Sequence, residues 1–513
     1  MAVKNILIVM ADQLTPFMVG CYGNDAVKTP NLDKLARNGI RFDAAYCNSP
    51  LCTPARYTFM TGQYISRIGG WDNAAYLPST VPTFAHYLRL MGYRTGLAGK
   101  MHFVGPDQLH GFEERYTTDV YPADFGWVPE WRAPDDRIDL WYHNMSSVVQ
   151  AGPAAITNQL AYDDEVGAAS IRAIYDAVRA EDDRPFCIVS SFIHPHDPYA
   201  ARKSYWDMYD GVDIPMPRVP RPAREDNDPH SLRLEKVIAL DAVDIDDEDV
   251  ARARRAYMAN VTYVDDWLGR LQQTLEECGI ADETAIVFVS DHGDMLGERG
   301  LWYKMSFFEW SCRVPLIVSV PGMENAGTVE SRPVSQVDVT PTLLEIAAAA
   351  TGRPVPDLVD PLDGTSLLSL GDRDETRVEY TAEGTGQPML MLRKGSWKYT
   401  CCPNDPEQLF DLASDPDELH NLAADAAQAD RMADFRSTAQ AHWNTDDIYA
   451  KVLDSQNRRR ILSGALKIGA HTGWDWQIKR DATEEYSRSH MDLTKHDIAS
   501  RYPRPVTFNP KWS

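Results

Sequence analysis

The sequence predicts an α/β fold: a large, mostly parallel sheet flanked by helices, then a small C-terminal antiparallel α+β domain and an extended tail. Three observations predict it. Unbroken apolar runs of strand length recur through the first 374 residues, the mark of parallel strands buried on both faces. Helix-length segments with caps and terminators separate them, the alternation that builds a parallel sheet. After Asp374 the composition shifts to short strands in close succession, as in an antiparallel meander.

The elements follow in order. Residues 5–11, "NILIVMA", form an apolar run that ends in Asp12-Gln13. Thr29 caps the next segment, Pro30 opens its first turn and Gly39 ends it, so a helix is expected there. A second helix follows Pro54 and stops at Gly62, and a third covers 80–93 with Gly92 near its end. A short strand then finishes at Lys100 and His102. Residues 103–158, rich in Trp, Pro, Asp and Tyr, read as a long excursion over the sheet edge. Helix returns over 162–180, and 185–199 is a strand running into His194 and His196. Residues 208–249 carry many Pro and Asp and read as surface loop. A long helix, 250–279, leads to a strand that ends at Asp291-His292. One more strand, 314–322, and a helix, 338–350, belong to the α/β domain, expected over 1–374. The meander with a final helix gives a small domain over 375–450. The basic, aromatic stretch 451–513, with Trp474, Trp476, Tyr502 and Trp512, reads as an extended tail laid on a neighbouring subunit.

Size and composition exclude several classes. A chain of 513 residues has room for more than one core. Its 51 basic and 75 acidic residues leave a net charge of -24, which argues against nucleic acid or an anionic membrane surface as a partner. No apolar run approaches the ~20 residues of a membrane span. The N-terminal run has no small-residue cleavage site and passes straight into Asp12. The eight cysteines show neither paired metal spacing nor a disulfide framework, and adjacent Cys401 and Cys402 suit reduced thiols. Together these point to the cytoplasm.

Four strand ends carry polar residues: Asp12-Gln13, Lys100 with His102, His194 with His196, and Asp291-His292. Ligands of an open parallel sheet bind beyond the carboxyl ends of its strands, so these residues are expected to meet there. Cys52 stands two residues before Pro54 and four before Arg56, at the expected start of a helix. Free N–H groups and the helix dipole favour an oxyanion at that point. Asp12 and Asp291, with the side-chain oxygen of Gln13, suit a hard divalent cation.

The Cys52-x-Pro54-x-Arg56 spacing resembles the recognition sequence of type I sulfatases. With the opening "NILIVMADQ" and the segment "SDHGDMLGERGLWYK", the chain is similar to the sulfatase branch of the alkaline phosphatase superfamily. That resemblance implies an alkaline phosphatase-like sheet and a formylglycine made from Cys52 by a formylglycine-generating enzyme. It implies one divalent metal held by Asp12, Gln13, Asp291, His292 and position 52. The hydrated aldehyde would attack sulfur with one oxygen, and loss of a proton from the other would expel sulfate. Where many sulfatases have a second Asp and an Asn, this chain has Gln13 and His292. The pairing is similar to phosphonate monoester hydrolases and choline-sulfatases, and an imidazole ligand admits Mn²⁺ beside the expected Ca²⁺.

Longer strings narrow the resemblance. "GKMHFVGPDQLHGFEERYTTDVYPADFGW", "WYHN", "HPHDPY" and "DPEQLFDL" resemble the choline-sulfatase family over nearly the whole length. The resemblance implies hydrolysis of choline sulfate, a small alkyl sulfate. Arg56, Lys100 and His102 would hold the aldehyde hydrate and the sulfate oxygens, one of the histidines taking the proton on release. His194 and Lys304 would stand on the leaving-group side, where an alkoxide requires a general acid. Asn73 would contact a sulfate oxygen. A quaternary ammonium needs an aromatic wall and a carboxylate. Trp127, His143 and Glu383 are expected there, with Glu379 a competitor and Asp492 in the tail adding charge. A homo-oligomer, dimer or tetramer, is expected. Two alternatives stand: a phosphonate or phosphodiester hydrolase with the same metal and nucleophile residues, and a non-catalytic binding protein of this fold with Cys52 unmodified.

Overall fold

A computed structural model of the chain describes residues 3–138 and 143–468. The central strand of the main sheet is β1 (Asn5–Asp12), and all eight of its residues are buried. Apolar side chains on both faces of the run account for that position, because an edge or half-exposed strand would alternate. β1 pairs in parallel with β3 (Phe186–Pro195) on one side and β4 (Thr284–Ser290) on the other. β2 (Arg94–Gly99) continues the parallel order beyond β3, and Glu114–Arg115 lies at that edge. On the far side β5 (Leu316–Ser319) runs antiparallel to both of its neighbours, β4 and Ile40–Phe42, and Val329–Glu330 ends the sheet. The sheet is mostly parallel, as expected.

Register brings the strand ends together. Ile8 lies level with Val189 of β3 and Val287 of β4. The Lys100 N–H donates to the Ser191 carbonyl at 3.0 Å, and the Asp291 N–H to the Ala11 carbonyl at 3.3 Å. Asp12, Lys100, Asp291 and the residues after Ile193 therefore reach one edge of the sheet. α1 (Cys52–Thr61) is buried along its whole length and stops at Gly62, whose φ of 67° is open to a residue without a Cβ. α2 (Asn158–Arg179) starts at Thr157, whose hydroxyl accepts the Leu160 N–H, and packs against β3.

The segment 208–249, expected as surface loop, contains a helix: α3 (Pro229–Val237). Asp228 accepts the Ser231 N–H, Pro229 occupies the first turn, and Leu234 and Val237 are buried. These are ordinary helix-start signals, masked in the sequence by the surrounding Pro and Asp. α4 (Asp247–Glu277) follows and also packs against β3. The excursion 103–158 holds only short pieces among its described residues: Glu114–Arg115, Ser146–Val149 and Gly152–Ala154.

The C-terminal part is a four-stranded antiparallel meander: β6 (Glu375–Tyr380), β7 (Met389–Lys394), β8 (Trp397–Cys402) and β9 (Asp405–Asp411). Leu390, Leu392, Tyr399 and Leu409 pack with Met432, Phe435 and Ala439 of α5 (Ala429–His442) in an apolar cluster of their own. That cluster also takes in Trp71 and Trp131 from the α/β part. α6 (Thr445–Leu466) runs across the expected start of the tail at 451. The remainder of that tail, from 469 and including Asp492, lies outside the described residues.

Candidate active site

Cys52 is the first residue of α1, and its Sγ faces the carboxyl ends of β1 and β4. The preceding Leu51 offers no side-chain cap; the Asn73 carboxamide oxygen accepts the Thr53 N–H at 3.0 Å instead. Asp12, Cys52, Asp291 and His292 each present one ligand atom, and these four atoms lie within 4.8 Å of one another, all from buried residues. Cys52 Sγ is 3.2 Å from His292 Nε2 and 3.9 Å from Asp12 Oδ1. Arg56 ties the two carboxylates together, with Nη2 3.0 Å from Asp12 Oδ2 and Nε 2.9 Å from Asp291 Oδ2. Lys100 Nζ also bonds Asp12 Oδ2.

The donor set fits a hard divalent cation. Burial alone would raise the Asp12 pKa, but Lys100, His196 and Arg56 outweigh it and hold the carboxyl well below the ordinary range. Burial pulls His292 down to about 4, so its imidazole is neutral. His292 Nδ1 donates to the Gly293 carbonyl at 3.0 Å, which leaves Nε2 free to act as a ligand. The Gln13 side-chain oxygen accepts from Lys304 Nζ at 2.6 Å, while its amide nitrogen donates to Asp294 at 2.7 Å. Burial, then the Asp12 carboxylate, push the Cys52 thiol up to about 11. With no cation beside it, an unmodified Cys52 is therefore a neutral thiol at physiological pH, a weak nucleophile.

A cavity of about 340 Å³ opens beside Cys52. Asn73 and Lys304 line it near the cysteine, and Tyr121, Trp127, His143, His196 and Asp197 form other parts of its wall. Lys304 Nζ donates to His196 Nε2 at 2.8 Å, and His196 Nδ1 donates to the Asp197 carbonyl at 2.7 Å. His194 is not among the lining residues. Its Nδ1 donates to Asp163 of α2 at 2.7 Å, and its ring meets Tyr263 edge-on. Regular alternation would place both histidines on one face. The pairing of β1 with β3 slips between Met10–Ser191 and Asp12–Pro195, and this irregularity sends His194 and His196 apart.

His102 packs edge-on against Trp127, with ring centroids 5.7 Å apart, and lies 5.1 Å from Tyr121. Both its ring nitrogens are buried without a hydrogen-bond partner among the described residues. Burial, then Lys100, pull it down to about 3. Lys100 Nζ stands 4.3 Å from the Tyr121 ring centroid, a cation–π contact. Glu383 is buried on the loop after β6 and is not among the cavity's lining residues. The Glu379 carboxylate accepts from the Ser66 N–H, the Ser66 hydroxyl and the Trp443 indole, so it serves packing around α5. The carboxylate that does line the cavity is Asp197, held by the Ser147 hydroxyl at 3.0 Å. Sequence reasoning passed over Tyr121 and Asp197. The segment "HPHDPY" contains Asp197, but nothing in it states which way that side chain turns; Tyr121 had only the aromatic density of its segment to mark it.

A buried acidic pair, a helix-tip cysteine and a small cavity above them define a class, and comparison with known proteins gives the same one. The chain belongs to the sulfatase family, whose model matches residues 4–349, and it is a sulfuric ester hydrolase. Residues 450–502 match the family described as choline sulfatase enzyme C terminal, and 297–442 match the C-terminal region of N-sulphoglucosamine sulphohydrolase. Over 510 residues the chain is 47% identical to the choline-sulfatase of Rhizobium meliloti (strain 1021), covering 98% of each. It is 30% identical to an arylsulfatase of Clostridium perfringens, covering 73% of this chain and 80% of the relative. The crystal structure of the phosphonate monoester hydrolase of Agrobacterium radiobacter superimposes with a TM-score of 0.68 at 25% identity, covering 88% of this chain and 96% of the other.

Proposed function

We propose that this chain hydrolyses choline sulfate to choline and sulfate. The observation that carries the reading is the cavity: Cys52 and Lys304 border the same small space as Tyr121, Trp127 and the Asp197 carboxylate. A sulfate ester with a compact quaternary ammonium group matches that combination, because the cation takes π-faces and a carboxylate where it cannot donate hydrogen bonds. Near-full-length similarity to a choline-sulfatase supports the same substrate.

Asp12, Asp291, His292 and position 52 would hold one divalent cation, Ca²⁺ first and Mn²⁺ second, and the Gln13 amide oxygen, which accepts from Lys304, would be a further ligand. Such an ion supplies charge for the sulfate oxygens and polarises the nucleophile. Formylglycine at position 52, installed by a formylglycine-generating enzyme, supplies a hydrated aldehyde as nucleophile and a route for sulfate release. The remaining work falls to this chain's own side chains. Arg56 and Lys100 balance the two carboxylates and fix their positions. Asn73 holds the start of α1 and faces the sulfate. Lys304, paired with His196, delivers a proton to the choline oxygen as the S–O bond breaks, so that an alcohol leaves in place of an alkoxide. His194, bonded to Asp163, secures the turn that presents His196. His102, a neutral imidazole with both ring nitrogens unpartnered among the described residues, would hold a hydroxyl of the aldehyde hydrate beside position 52. Trp127, Tyr121 and His143 surround the ammonium group with Asp197, the place that Glu383, outside the cavity lining, does not take. Eight free cysteines suit the cytoplasm. Among the described residues no helix is long and apolar enough to cross a membrane. Exposed Ile461, Leu462 and Ile468 suit a homo-oligomer contact.

The test is kcat/KM on choline sulfate against an aryl phosphonate monoester. Choline sulfate is expected to be the better substrate. Faster turnover of the phosphonate would assign the site to the phosphonate-hydrolase reading.

A further inference from the structure

We infer that α6 sets the enzyme's selectivity for a cationic head group, because it is the strut that holds the Trp127 wall of the cavity. This rests on the choline sulfate reading above. Residues 123–138 contain no helix or strand, so their position is defined by tertiary anchors. Four consecutive residues just after Trp127 make contact with α6 through Pro129, Glu130, Trp131 and Arg132. The Arg460 guanidinium bonds both the Glu130 carboxylate and the Pro129 carbonyl. The Trp131 N–H donates to Gln456 Oε1 at 3.2 Å, and its ring stacks on Tyr449 with centroids 5.8 Å apart. Arg132 donates to Asn457 at 3.1 Å. On its other side Trp127 rests edge-on against His102 and Tyr121. One helix face thus closes the wall against the site.

The same helix reaches the sulfate end. Arg459, buried, forms a two-point pair with the buried Asp72 carboxylate, one bond being 2.8 Å. Asp72 Oδ1 also accepts the Ala74 N–H at 2.9 Å, so the turn that carries Asn73 is fixed from α6. Arg459 and Arg460 are therefore positioning residues that act through Asn73 and Trp127 respectively. They differ in what their loss costs. An unpartnered Asp72 would be a buried, uncompensated charge, so Arg459 variants risk the fold. Arg132 is exposed and Arg460 partly exposed, so their removal leaves the core intact.

The experiment measures the full-length, aldehyde-bearing enzyme with its metal, and compares it with the Arg132→Ala/Arg460→Ala double variant. Substrates are choline sulfate and 4-nitrophenyl sulfate, which has no cation. The expected result is a KM for choline sulfate raised about tenfold or more, the scale of a loosened positioning contact, with kcat/KM for the aryl sulfate within about twofold and an unchanged melting temperature. Arg460→Lys, which keeps the charge facing Glu130, is expected to recover part of the choline sulfate KM. Equal losses on both substrates, or a choline sulfate KM that does not move, would overturn the inference. Should the double variant fold poorly, Glu130→Ala with Asn457→Ala removes the Arg460–Glu130 and Arg132–Asn457 bonds from the opposite partners, leaves the bond to the Pro129 carbonyl, and is read in the same way. A wild-type enzyme with no preference for choline sulfate overturns the function reading and this inference together. A preference that survives in the variants overturns this inference alone.

Discussion

Gln13 must turn one particular end of its carboxamide toward the site, and Asp294 decides which. The Asp294 carboxylate receives four donors: the Gln13 amide nitrogen at 2.7 Å, the Tyr199 hydroxyl at 2.8 Å, and the Leu296 and Tyr303 N–H groups at 3.0 Å each. A ring of donors can be met only by an acceptor, so the Gln13 NH₂ faces Asp294 and its oxygen faces Lys304. Asp294→Asn places an NH₂ among those donors and frees the Gln13 amide to flip. With Gln13 a ligand of the ion as proposed, Ca²⁺ affinity, titrated directly, is expected to weaken roughly 10–100-fold, the usual cost of losing an outer partner of a metal ligand. An unchanged titration would remove Asp294 from this role. At this scale the sequence was a good guide where a residue sits directly at a strand or helix end. Asp12, Asp291, His292 and Lys100 meet because parallel register carries their strand ends to one edge, and the first turns of α1 bring Cys52 and Arg56 to the same place. It was a poor guide where the backbone departs from alternation. Beyond the slip in the β1–β3 pairing His194 turns to Asp163 and His196 to Lys304, and no residue type announces such a slip.

Elements differ in legibility for physical reasons. β1, β3 and β4 are buried on both faces, so each leaves an unbroken apolar run that cannot be mistaken for surface. α1 is legible through Pro54 near its start and Gly62 at its end, although its middle is uniformly buried and has no amphipathic stripe. α3 was hidden because Pro and Asp signal both loops and helix starts; only the buried Leu234 and Val237 distinguish the two. The loop 123–138 has no local signal at all, since α6 and the aromatic rings around His102 hold it in place. That dependence on distant partners is also why the head-group wall was read from a family resemblance, whereas the metal group was read from strand ends. Glu379 and Glu383 stand four residues apart, at the end of β6 and on the loop after it, and sequence alone could not tell them apart. The contacts of Glu379 with Ser66 and Trp443 do.

For the molecule as a whole, burying so many imidazoles near one site has a consequence for stability. His102 is pulled down to about 3 and His110 to about 4, in each case mainly by burial, and burial holds His143 and His196 well below the ordinary value. In the unfolded chain these rings titrate near 6.5. Between pH 6.5 and 4 these imidazoles take up protons in the unfolded chain and not in the folded one, so their contribution to stability rises with pH across that window and is lost as pH falls through it, while Asp265 and Asp294, pushed up to about 7 by burial, act in the opposite direction. On lowering the pH from 7 to 5 the melting temperature of His110→Gln is expected to lose less, or gain more, than that of the wild type, because the His110 ring, which lies against Phe103 outside the cavity wall, is pulled down to about 4. Parallel profiles for the two proteins would contradict the burial argument. The central claim is the proposal that Cys52 acts on sulfur only after its conversion to an aldehyde. The most direct test is the mass of the Cys52 peptide, read beside choline sulfate turnover in preparations made with and without a formylglycine-generating enzyme. Turnover is predicted to rise in proportion to the fraction of position 52 carried as aldehyde. Full turnover from protein whose Cys52 peptide retains its sulfur would contradict the account.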